Sequence, residues 1–114
     1  MKIKEKMHQK VAELELHGKL MGPPETARLV NIVSNLLEDG VSRIVINMKH
    51  VNWINSLGLG SIVKCITAVR DEKGVLHLSG LTEKVRSLFM MSQLIKIVTI
   101  HEKAEEAIET LNEV

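Results

Sequence analysis

The chain has 114 residues, room for one domain spanning 1–114 and not for two. Hydrophobic residues make up 45% and charged residues 25%, a balance that excludes a disordered chain. Fifteen basic residues against fourteen acidic ones leave a formal net charge of +1 with no block of like charge, so neither nucleic acid nor an anionic membrane is an expected partner.

The chain opens with Ile3 to Met7, a short and heavily charged strand. Val11 to His17 alternates more cleanly, with Ala12, Leu14 and Leu16 on one side and Glu13 and Glu15 on the other, which predicts a second strand half-buried in a sheet. The gap at His8-Gln9-Lys10 suits a hairpin between the two. Gly18, Gly22, Pro23 and Pro24 then break the chain. A helix is expected from Pro24 to Glu38, with proline in its first turn, Leu29, Val33, Leu36 and Leu37 at helical spacing, and Asp39-Gly40 as its stop.

Arg43 to Met48 is the next strand. Its centre, Ile44-Val45-Ile46, shows no polar alternation, as a central strand should. A helix from Leu57 to Glu72 puts Leu59, Ile62, Val63, Ile66 and Val69 on one side, and Lys73-Gly74 ends it. Val75 to Leu78 is a strand. Glu83 to Leu94 is a helix with Val85, Leu88, Phe89 and Ser92 inward. Ile97 to Ile100 is the last strand. Lys103 to Asn112 is the last helix, with Ala104, Ala107, Ile108 and Leu111 as its apolar stripe. The fold class is α/β. A four- to five-stranded mixed sheet is expected, with four helices mainly on one face: strand–helix alternation implies parallel strands, and the first hairpin adds an antiparallel edge.

Trp53 and Phe89 are the only large aromatic residues, so base stacking on an aromatic platform is not expected. The single cysteine, Cys65, falls near the buried side of the second helix and reads as a reduced, inert core thiol. No signal peptide is expected from the charged start Met1-Lys2-Ile3-Lys4-Glu5-Lys6. No apolar run approaches the roughly 20 residues of a membrane span. A soluble, cytoplasmic protein is expected, with no membrane partner.

The most informative stretch is Asn55-Ser56-Leu57-Gly58-Leu59-Gly60, where a strand ends and a helix begins. A serine hydroxyl there is exposed at the positive end of a helix dipole, and the glycines leave room for another backbone. Such a place suits a phosphorylation switch or a docking point better than a catalytic centre. Serine and asparagine also cap helix N-termini, so a purely structural role is open to both Ser56 and Asn55. Gly58-Leu59-Gly60 falls short of a nucleotide-binding glycine motif, and close approach of a partner accounts for it better. No nucleophile–base pair, paired carboxylates or cofactor motif is present, which argues against an enzyme and gives no catalytic residues and no cofactor. The histidines His8, His17, His50, His77 and His101 are scattered, with no i, i+4 pair, so no metal site is expected. Met21, Trp53, Leu57, Met90 and Met91 are candidates for an apolar rim.

The element order together with this run resembles the STAS domain, and within it the bacterial anti-sigma factor antagonists. That family carries Asp-Ser-Ser/Thr-Gly-Leu-Gly between its third strand and second helix, where this chain has Asn55 to Gly60. Other matching stretches are Ile44 to Met48, Leu78-Ser79-Gly80-Leu81, Val85 to Phe89 with Ser92-Gln93-Leu94, and His17-Gly18-Lys19-Leu20. Two residues depart from the pattern: Asn55 stands for the aspartate and Leu57 for the second hydroxyl residue. The resemblance implies a single STAS-type domain that sequesters an anti-sigma factor serine kinase while Ser56 is unphosphorylated, with a serine phosphatase to reset it. The partner-binding residues it implies are Asn55, Ser56, Leu57, Gly58, Leu59, Gly60, Lys19 and Met21. The alternative it leaves is a non-switching scaffold subunit of a sensory or lipid-transport complex. Since asparagine and aspartate cap helices about equally well, replacing Asn55 by aspartate is expected to change stability by only a few tenths of a kcal/mol.

Overall fold

The computed structural model describes all 114 residues. The elements run β1 (Lys2–His8), β2 (Val11–Leu20), α1 (Glu25–Glu38), β3 (Arg43–Ile54), α2 (Ser56–Asp71), β4 (Val75–Ser79), α3 (Glu83–Met91), β5 (Thr99–His101) and α4 (Ala104–Asn112), with a 3₁₀ turn at Leu94–Lys96 before β5. The strands lie side by side in sequence order. β1 pairs antiparallel with β2, and the three following pairs are parallel, so the sheet is five-stranded and mixed as the alternation of elements predicts.

This order dictates where the helices go. Each parallel pair is joined by a helix, and the sheet grows in one direction only. Crossovers of a single hand therefore place α1, α2 and α3 on the same face. There Leu29, Val33, Ile62, Ile66, Val85 and Phe89 pack on Leu14, Ile46 and Leu78. Helix α4 follows the last strand and closes no crossover. It takes the other face, with Ala107 and Leu111 against Val11 and Val45. The missing alternation in Ile44-Val45-Ile46 follows directly: Ile44 and Ile46 face three helices, and Val45 is covered by α4.

Several boundaries differ from the sequence expectation. β2 runs on through Gly18 to Leu20. Glycine tolerates the φ of +117° there, and the ladder shifts register between Gly18 and Lys19 instead of ending. β3 extends to Ile54, six residues past Met48. Helix α3 stops at Met91, because Gln93 adopts a left-handed φ of 64°. Ser92, expected inward, is exposed, and its hydroxyl donates back to the Leu88 carbonyl at 2.8 Å. The last strand is shifted to Thr99–His101.

Beyond the reach of α4, its own face of the sheet stays polar. The buried carboxylate of Glu13 is held by two donors, His8 Nε2 at 2.8 Å and Asn47 Nδ2 at 3.0 Å. On β4 and β5, His77 Nδ1 lies 3.0 Å from His101 Nε2. Burial, and then the neighbouring His101, hold the pKa of His77 below its ordinary 6.5. Unfolded His77 takes up a proton before the native residue does. Its contribution is therefore present above about pH 6.5 and is lost as the pH falls below that value. Urea unfolding at pH 7.5 and 5.5 should show a loss of stability towards acid that is smaller in His77→Gln. An equal loss in both proteins would show that His77 does not set the slope.

Candidate functional site

Strands β2 and β3 run parallel and finish together, Leu20 beside Ile54. The chain leaves β2 into Met21 and leaves β3 into Asn55. Asn55 ties the two exits together. Its backbone is extended, with φ −118° and ψ −172°, and its Oδ1 accepts the Gly58 N–H at 3.0 Å, which makes it the N-cap of α2. Its Nδ2 donates to the Met21 carbonyl at 2.8 Å. The backbone N–H of Asn55 reaches the Leu20 carbonyl at 3.4 Å. One amide thus satisfies a donor of the helix and an acceptor of the neighbouring loop.

Ser56 is the residue after the cap. It is the first residue of α2 and is exposed, as expected. The capping role open to it on sequence grounds belongs to Asn55 alone. The first intrahelical bond of α2 runs from the Leu59 N–H to the Asn55 carbonyl at 2.9 Å. Gly58 N–H is capped, so the N–H groups of Ser56 and Leu57 are left pointing out of the helix end. The first turn of α2 holds no acidic residue. Ser61 and Ser79, by contrast, are buried, and Ser61 Oγ donates to the Gly58 carbonyl at 2.7 Å.

The two glycines divide. A Cβ on Gly58 would overlap the Leu20 carbonyl and the Ile54 side chain. The close approach expected for a partner is at Gly58 an approach of the chain to itself, and Gly58 is buried. Gly60 is exposed, with open space where its Cβ would be. Leu59 is half-buried against the core.

Around Ser56 the surface is apolar with basic groups. Met21, Trp53 and Leu57 are all exposed, Leu57 by 59%. Lys19 sits on β2 beside Trp53 on β3, and the Lys84 ammonium lies 5.3 Å from the centre of the Trp53 ring. Met90 and Met91 are exposed at the end of α3. Cys65 is fully buried, and burial pushes its thiol up to about 12, so it carries no nucleophilic chemistry.

The histidines do not stay scattered. Register places His17 on β2 beside His50 on β3, with ring centroids 4.4 Å apart and planes 12° from parallel. His17 Nε2 donates to Glu15 Oε1 at 2.6 Å. That hydrogen bond, together with Lys6 on the other oxygen at 3.2 Å, holds the Glu15 carboxyl at about 2 despite burial acting the other way. Sequence spacing misses this group because residues 17 and 50 become neighbours only through the ladder.

The STAS domain model matches residues 2–107. The chain belongs to the STAS domain family. Among curated relatives, the anti-sigma-B factor antagonist of Staphylococcus aureus (strain NCTC 8325) is 25% identical over 77 residues, 68% of this chain and 71% of that protein. An anti-sigma factor antagonist from Mycobacterium paratuberculosis superposes with a TM-score of 0.85 at 15% identity, covering 97% of this chain and 93% of the other. The Bacillus cell fate determinant SpoIIAA in its phosphorylated form gives 0.77 at 19% identity, covering 96% and 99%. Both superpositions carry the fold of this STAS domain. No helix of it is long and apolar enough to cross a membrane.

The geometry revises the expectation for Asn55→Asp. Aspartate keeps the acceptor for Gly58 but loses the donor to Met21, and it sets a carboxylate oxygen against a carbonyl. The bond to Met21 is open to solvent, so the change should cost about 0.5–1.5 kcal/mol in urea unfolding at pH 7. Ser56→Ala, which touches no cap, should stay within about 0.5 kcal/mol. A neutral Asn55→Asp would show that the Met21 bond contributes nothing. The glycines give a second contrast. Gly58→Ala should lose about 1–3 kcal/mol through overlap with Leu20. Gly60→Ala should gain up to about 1 kcal/mol from helix propensity. Equal responses would contradict the packing described at Gly58.

Proposed function

We propose that this STAS domain is an anti-sigma factor antagonist whose hold on an anti-sigma factor serine kinase is switched by phosphorylation of Ser56. The observation that carries the reading is the placement of Ser56: exposed at the start of α2, free of the cap, and bordered by exposed Leu57, Met21 and Trp53. The names of the relatives support it. The Staphylococcus aureus protein is an anti-sigma-B factor antagonist, and SpoIIAA has a phosphorylated form.

In the unphosphorylated state the rim around Ser56 docks on the kinase, which releases its sigma factor. Lys19, Met21 and Asn55 to Gly60 line or support that contact. In the transfer step Ser56 Oγ attacks the γ-phosphorus of the kinase's ATP. The hydroxyl proton passes to a base on the kinase, and ADP leaves. A serine phosphatase returns the hydroxyl by hydrolysis. Phosphate brings about −1.5 to −2 charges. The helix end accepts that charge, since two N–H groups are free there. A partner surface pressed against it does not, because a desolvated, unpaired charge costs several kcal/mol. The complex therefore separates while the fold persists.

The test uses an ATP-binding anti-sigma factor serine kinase from the organism that makes this chain. Mass measurement after incubation with ATP should show one phosphate on wild type and none on Ser56→Ala. By calorimetry, Ser56→Asp should bind at least tenfold more weakly than wild type, about 1.4 kcal/mol, without loss of stability. Phosphate on another serine would overturn the assignment. Binding without any phosphate would point to the non-switching scaffold. Unweakened binding by Ser56→Asp would rule out charge as the release signal.

A further inference from the structure

The sheet face turned away from α1, α2 and α3 gathers more chemistry than the proposed switch uses. An open hollow of about 1170 Å³ lies between the start of α4 and the middle strands, and Glu15 and His50 are on its wall. Just beside it, Glu15, His17 and His50 each offer one ligand atom, and these atoms all lie within 4.8 Å of one another. Glu15 and His17 are half-buried and His50 is exposed.

We propose that Glu15, His17 and His50 form a binding site for a divalent transition-metal cation of the Zn²⁺ type. Two imidazoles and one carboxylate are a donor set that zinc takes in open sites, with solvent in the fourth position. The imidazole pair selects against Mg²⁺ and Ca²⁺, which prefer oxygen ligands. Zinc–ligand bonds of about 2.0–2.2 Å set tetrahedral donors roughly 3.4 Å apart. With all three atoms within 4.8 Å of one another, no gap in the group has to close by more than about 1.4 Å. The His17 and His50 rings lie stacked with their planes near parallel, so the exposed His50 ring must turn out of that stack to aim a nitrogen into the group, a rotation that leaves both strands in place. The backbone is already in place, because His17 and His50 are fixed neighbours on paired strands. The existing contacts also suit a bound cation. Oε1 of Glu15 faces His17, while Oε2 is held by Lys6 at 3.2 Å, so the carboxylate is oriented with one oxygen turned into the group. On binding, the neutral His17 ring changes tautomer: the proton leaves Nε2 and, through solvent, one is taken up at Nδ1, so that the Nε2 lone pair meets the metal in place of its bond to Glu15. The Lys6 ammonium opposes the cation and limits affinity.

No other histidine pair matches this. His77 and His101 supply two nitrogens but no third donor from the same group.

Calorimetric titration of the untagged full chain with ZnCl₂ in a non-coordinating buffer at pH 7.5 tests the site. One equivalent should bind, and saturating zinc should raise the melting temperature. His50→Ala, exposed and safe for folding, should weaken binding at least tenfold, and so should Glu15→Gln. His101→Ala should bind as wild type does. MgCl₂ at the same concentration should give no saturable heat. Nitrogen shifts in long-range ¹⁵N–¹H spectra should move for His17 and His50 only. The absence of saturable zinc binding up to millimolar concentration would overturn the proposal. Binding that survives both His50→Ala and Glu15→Gln, or that is lost in His101→Ala, would do the same. These outcomes are independent of whether Ser56 is phosphorylated.

Discussion

The parallel ladder between β2 and β3 is the constraint on which the rest depends. These two strands are the longest in the sheet, and they end level, at Leu20 and Ile54. Ending level is what lets one amide, Asn55, bridge Met21 and Gly58. It also lets α2 start so close to β2 that only glycine fits at position 58. A slip of one residue would reverse every side chain of a strand. It would separate Asn55 from Met21, shift the Leu20 carbonyl away from Gly58, and part His17 from His50. The bond between the two strand exits, the close fit at Gly58 and the histidine pair are three consequences of one register.

Local pattern carried the architecture a long way. The alternation of Ala12, Leu14 and Leu16 with Glu13 and Glu15, and the helical spacing of Leu29 and Val33, state which face each element buries, and the core keeps to it. Strand–helix alternation states the parallel pairing. What such patterns lack is pairing between distant segments. Position 50 beside position 17 is a property of the ladder, and no spacing within either strand announces it. The extension of β2 through Gly18 is hidden for a similar reason: glycine breaks an isolated strand, but one held along its length by β3 absorbs it as a shift in register. The placement of α4 needed topology, since its apolar stripe of Ala107 and Leu111 fits either face. Only the absence of a crossover after β5 sends it to the far side.

The candidate switch was readable at the level of Ser56 and its helix, because the strand end, the asparagine and the two glycines are contiguous. The division of labour inside the run was not. Asparagine and serine are both good caps, and sequence offers no reason to choose between them. In the structure Asn55 takes the role: its Oδ1 caps α2 while its Nδ2 donates to the Met21 carbonyl, and Ser56 makes no cap bond. Likewise both glycines suit close approach, and only the position of the Leu20 carbonyl shows that one of them serves the fold.

The asparagine cap also bears on what a charge at Ser56 can do. A helix N-terminus carries roughly half a positive charge, and a capping aspartate would offset most of it before any phosphate arrived. With Asn55 neutral and no acidic residue in the first turn of α2, a phosphate on Ser56 is the first negative charge that end receives. It meets two free N–H groups and no carboxylate one residue away, so its effect within the domain is favourable by about 0.3–1 kcal/mol. On the proposed reading, any repulsion must then come from outside the domain, from a partner surface set against Leu57, Met21 and Trp53. A neutral cap at Asn55 would leave the response to a phosphate on Ser56 to that partner.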